Sequence, residues 1–103
     1  MNLPNEGQVG NLPLGAVLEA TTLVNGAGFH PLAFGQLPAG VTAHLQRVIG
    51  VQELTVEAAL RGERRLVVQA LLADGDVLSR SQAEAMTDAL LQAHRAWLPH
   101  FWD

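Results

Sequence analysis

Ala16-Val17-Leu18-Glu19-Ala20-Thr21-Thr22-Leu23-Val24, then Asn25-Gly26-Ala27-Gly28, then Phe29-His30-Pro31-Leu32-Ala33-Phe34, is the stretch whose reading decides the fold class. The first run is rich in β-branched residues and reads as a strand. Asn and Gly tolerate positive φ, so residues 25–28 read as a turn. Residues 29–34 read as the return strand, which Pro31 pushes to an edge because it lacks an amide donor. A lone hairpin is marginal in water and needs a helical or sheet cover.

That cover is legible downstream. Residues 39–60 form a long helical pattern. Apolar residues at 41, 45, 48, 49 and 56 lie on one side, and those at 51, 54 and 58 extend the apolar surface around it. Such a helix is expected to be buried on more than one face. Gly50 suggests a kink or a close helix crossing, and Gly62 a C-cap. A shorter helix is predicted over 63–73. The last helix opens on Ser81-Gln82-Ala83-Glu84, a capping-box pattern. Its expected apolar stripe is Ala83, Met86, Leu90, Ala93 and Trp97, and Pro99 ends it. Upstream, Pro4, Gly7, Gly10, Pro13 and Gly15 predict irregular, extended backbone over 1–15. The class is α+β, a β-hairpin followed by three helices, in a single domain of 103 residues.

Composition excludes several functions. The net charge is −4 with only six Lys and Arg, so nucleic acid, whose binding rests on neutralised phosphates, is not an expected partner. No apolar run is long enough to span a bilayer. The first residues carry no basic n-region and no apolar h-region, and there is no Cys. The expected location is the cytoplasm.

Asn2-Leu3-Pro4-Asn5-Glu6-Gly7-Gln8, Asn11-Leu12-Pro13, Gly28-Phe29-His30-Pro31, the Gln52–Leu60 helix and Leu90-Leu91-Gln92-Ala93-His94-Arg95-Ala96-Trp97-Leu98-Pro99 occur in that order. Together they resemble the C-terminal part of the NAD- and manganese-dependent glycosidases of glycoside hydrolase family 4. The resemblance implies the closing part of a substrate domain like that of lactate and malate dehydrogenases. Full-length members oxidise a sugar hydroxyl with NAD, abstract a proton, eliminate, add water and return the hydride, a departure from two-carboxylate hydrolysis. That route needs a dinucleotide fold, Cys and His ligands for manganese, and a basic Tyr. This chain has no G-x-G-x-x-G, no Cys and no Tyr. No catalytic, cofactor or metal residue is therefore carried over, and the chain alone is expected to bind neither NAD nor manganese and to cleave no glycoside.

Asn2, Asn5, Gln8 and Asn11 are the candidates for contact with the sugar cleft, since amides both donate to and accept from hydroxyls. The competing reading, which ranks ahead, is that they brace turns through bonds to backbone. His30, His44, His94 and His100 fit no zinc spacing, and Glu53 and Glu57 read as the solvated side of their helix. Gln52 falls among apolar neighbours, and Phe101-Trp102 form an aromatic end. Three functional readings follow, in order: part of a sugar-active NAD-dependent glycosidase, a structural or oligomerisation module acting with a Rossmann-domain partner, and a small sugar-binding domain. The apolar faces such a piece leaves uncovered predict a homo-oligomer.

Overall fold

A computed structural model describes all 103 residues. The chain divides into two compact units, Met1–Gln46 and Arg47–Asp103.

The first unit holds two small antiparallel sheets. β1 (Asn2–Pro4) pairs with β2 (Val17–Glu19), Leu3 opposite Leu18. β3 (Thr22–Asn25) pairs with β4 (Gly28–Pro31), Val24 opposite Phe29. The expected hairpin is therefore present, turning at Gly26-Ala27. Asn25 closes it by accepting the Ala27 amide on its side-chain oxygen at 2.8 Å.

Two expectations are corrected here. Residues 16–24 are not one strand, because the run breaks at Ala20-Thr21. The Ala20 amide donates to the Met1 carbonyl (2.9 Å), while the Thr21 carbonyl accepts from Leu32 (2.9 Å). The two halves thus serve different partners. The opening is not wholly irregular either. Its Gly and Pro breakers, Pro4 apart, fall after Pro4 and leave Asn2–Pro4 free to pair. The return strand also stops at Pro31, because Phe34 and Gly35 turn to the opening loop. There Phe34 N donates to Gln8 O (2.7 Å) and Gly10 N to Gly35 O (2.8 Å).

α1 (Ala39–Arg61) is continuous. Its expected many-sided burial does not occur within this chain. Ala58 is buried and Leu45, Ile49, Val51 and Leu54 are half-buried, whereas Val41, Val48, Val56 and Leu60 are exposed. Nor does Gly50 mark a close crossing, since a Cβ there would meet open space.

The second unit closes with α2 (Arg64–Asp74), α3 (Arg80–Ala93) and two short 3-10 turns, Arg95–Trp97 and Pro99–Phe101. α2 and α3 pack on a small core of Val68, Val77 and Ala83, with Leu71 against it. Gly62, between α1 and α2, has φ +66°, the left-handed region open to glycine. A side chain there would also run into the backbone of His100.

The start of α3 differs from its sequence reading. The three-residue capping offset occurs twice, as Ser79…Gln82 and as Ser81…Glu84, and the structure uses the first. Ser79 Oγ accepts the Gln82 amide at 3.2 Å, while Glu84 turns to Arg80 (2.8 Å). Val77, two residues before this cap, is buried in the core beside Ala83. The stripe is corrected as well. The buried line is Ala83, Thr87 and Leu91, one turn apart, and Met86, Leu90 and Trp97 are exposed. Thr87 counts as polar in a periodicity reading, yet it is fully buried, and its hydroxyl has no hydrogen-bond partner.

Candidate functional site

The four amide residues singled out in the opening fall into two groups. Asn5 is almost fully buried, at 1% exposure. The two N–H groups of its Nδ2 are shared among the carbonyls of Val9 (3.0 Å), Leu12 (3.1 Å) and Pro13 (3.1 Å). Its Oδ1 accepts from Gly7 and Val9, both at 3.2 Å. Loop 5–13 is thus wound about one side chain. Gln8 is buried too, donating to Pro4 O at 2.8 Å and accepting from Glu6 N at 2.7 Å.

Asn11 pairs with Leu37 in the manner of a strand, donating to its carbonyl (2.8 Å) and accepting its amide (2.9 Å). It also donates to the hydroxyl of Thr42 (2.9 Å), which is buried in the first turn of α1. A primary amide has two donors and one acceptor oxygen, so Asn5, Gln8 and Asn11 are occupied by backbone and neighbouring side chains. Asn2 alone of the four is exposed.

The other candidates scatter. Glu57 is ion-paired with Arg61 one turn on, at 2.7 Å, and Glu53 is exposed. Gln52 is exposed. His30 bonds Asn25 (3.1 Å), His94 caps α3, and His100 bonds the Ala59 carbonyl through Nε2. No three His, Cys, Asp or Glu side chains converge to hold a metal ion.

Two features of the second unit escaped sequence reading. One is a mostly apolar cavity of about 400 Å³, lined by Val51, Ala58, Val67, Leu71, Leu91 and Phe101 among others. The other is a cavity of about 570 Å³ lined by Arg64, Asp88, Gln92, Phe101 and Trp102, with Ala89 and Leu91. Arg64 Nε donates to Asp88 Oδ1 at 2.6 Å, linking the start of α2 to the middle of α3. That guanidinium holds the Asp88 carboxyl below its usual range, as Arg65 does for Glu63. No linear spacing announces these groupings, because residues 64, 88 and 102 meet only when the helices pack.

Two small antiparallel hairpins and three helices make an α+β fold, and solved glycosidase structures share it over this stretch. The model for the family 4 glycosyl hydrolase C-terminal domain matches residues 1–77, and the chain belongs to that family. It is 38% identical over 93 residues to an alpha-galacturonidase of Bacillus subtilis (strain 168), covering 89% of this chain and 21% of that protein. It is 28% identical over 103 residues to a probable 6-phospho-beta-glucosidase of the same organism, covering 100% of this chain and 23% of that protein. It superimposes with a TM-score of 0.86 on the 6-phospho-beta glucosidase of Thermotoga maritima, whose structure holds NAD and glucose-6-phosphate. There the identity is 28%, with 94% of this chain and 24% of that chain covered. The chain therefore spans less than a quarter of the length of these relatives.

Proposed function

We propose that these residues serve as the closing, C-terminal portion of an NAD-dependent glycosidase, a scaffold for the sugar-side half of the enzyme rather than a seat of its chemistry. The observation that carries this reading is the state of the amides in the opening. Asn5, Gln8 and Asn11 are turned inward to fix loop 5–13 and join it to the start of α1. The likeness to about a quarter of a glucosidase that binds NAD and glucose-6-phosphate supports it. On this reading NAD and the manganese implied by the family resemblance are held by other parts of the enzyme. In the sugar cleft, Asn2 is the one opening amide exposed to a hydroxyl.

The same reading gives the exposed side of α1 a purpose. Val41, Val48, Val56 and Leu60 are between 37% and 80% exposed, and apolar surface of that kind favours association. We propose that it is covered by the dinucleotide-binding part of the enzyme or, when the 103 residues stand alone, by a second copy. The setting proposed for the enzyme is the cytoplasm. No helix is long and apolar enough to cross a membrane.

A chimera tests the reading. These 103 residues replace the matching C-terminal portion of the B. subtilis alpha-galacturonidase. The expected result is a protein that binds NAD with the parent's affinity and retains turnover. A chimera that folds and binds NAD but loses all turnover would show that chemistry resides in the exchanged portion. For the chain alone, titration calorimetry is expected to give no NAD binding, and micromolar affinity would overturn the scaffold reading.

A further inference from the structure

From the cavity at the open end of the α2–α3 pair, we infer that the second unit carries a surface site for a neutral hexose ring. This inference stands apart from the scaffold reading and concerns different residues. Two kinds of wall meet there. One is polar: Asp88 and Gln92 lie one turn apart on α3 and so share a face, and Arg64, the first residue of α2, reaches across to Asp88 at 2.6 Å. The other is aromatic, made by Phe101, which ends the last turn, and Trp102, which follows it.

A pyranose presents the same two-sidedness. Its axial C–H bonds carry slight positive charge and suit an aromatic face, whose quadrupole is negative. Its equatorial hydroxyls both donate and accept. Asp88 accepts, the Gln92 amide does both, and a guanidinium has five N–H donors, of which Arg64 commits Nε to Asp88 and one on Nη2 to the Glu84 carbonyl. The cavity, about 570 Å³, lies within the range of small-molecule sites.

Charge selects within that class. The lining residues carry one guanidinium and one carboxylate, paired with each other. A phosphate or an ammonium finds no unmatched charge among the lining residues, Arg95 being engaged by the Trp102 ring, whereas an uncharged ring can insert its hydroxyls around the pair. Trp102 is itself held in place. The Arg95 guanidinium sits over its ring, 4.3 Å from the centroid, a cation–π contact that orders the platform.

The chain has two tryptophans, so Trp97→Phe leaves Trp102 as the sole indole reporter. Titrating this variant with glucose and with galactose is expected to give a saturable fluorescence change with Kd of about 1–10 mM, as befits an open site with few contacts. Sorbitol, which lacks the ring, is expected to give none. Asp88→Asn and Gln92→Ala, each in the Trp97→Phe background, are expected to weaken binding about tenfold. Both positions are exposed, and circular dichroism checks that each variant folds. Three outcomes would overturn the inference: no saturable change, an equal response to sorbitol, or unaltered affinity in both folded variants. Binding of galacturonate or glucose-6-phosphate more than tenfold tighter than of neutral hexose would refute the charge assignment and with it the site as drawn.

Discussion

Met1–Gln46 and Arg47–Asp103 are stabilised by opposite means. The first unit has strands of three and four residues. Its most buried side chain is polar, and loop 5–13 closes around the hydrogen bonds of Asn5. The second unit is helical, and α2 and α3 pack on Val68, Val77 and Ala83, with Leu71 against them. Hydrogen bonds are directional and fail abruptly when one partner is lost, because the other is left buried and unpaired. Apolar contacts are non-directional and degrade in proportion to the surface removed. The first unit is therefore brittle and the second tolerant.

The sharpest way to break this contrast is Asn5→Ala. It removes the donor for three buried or half-buried carbonyls and the acceptor for two amides. The expected cost is about 3–5 kcal/mol, read as lost hydrogen-exchange protection over residues 5–16 with α2–α3 protection unchanged. Gly62→Ala comes next. The left-handed φ and the His100 backbone beside it predict a loss of about 2–3 kcal/mol, seen in urea unfolding and as release of the 3-10 turns. Thr87→Val replaces a buried hydroxyl that has no partner with a methyl of similar size. It should stabilise the second unit by about 1 kcal/mol, measured as a raised Tm. Gly50→Ala fills open space in mid-α1 and should add about 0.5–1 kcal/mol.

The smallest effect is electrostatic. The folded-state pKa of Asp88 is depressed by Arg64 and that of Glu63 by Arg65. Their contribution is present above the ordinary carboxylate pKa and is lost as pH falls through the lowered folded value. Both side chains are solvated, so the loss is shallow. Carbon-detected titration of the two carboxyls should place both midpoints below the model-peptide values, and 1 M salt should move them back.

The elements legible in the sequence were those whose signal is local. The turn at Asn25–Gly28 and the three helices follow from residue preferences within a few positions. The subdivision of residues 16–24 was not legible, because nothing in Ala20-Thr21 says that one side pairs with residues 2–4 and the other with 28–31. The buried line of α3 was hidden for a similar reason. Thr87 looks polar in a pattern, and only the packing of α2 puts it inside. At the candidate site, the sequence did pick out Asn5, Gln8 and Asn11, and their hydrogen bonds needed the folded loop to be seen. The grouping of Arg64, Asp88 and Trp102 had no linear trace.

Composition, hydrophobic periodicity and the order of short motifs were enough to establish the α+β class, the helices and the family, since each depends on neighbours along the chain or on inherited spacing. Which amides face inward, which side of α3 is buried and where charged and aromatic side chains converge depended on contacts between distant segments. Those contacts are selected by closure of the backbone and exclusion of water, and neither acts until the chain has folded.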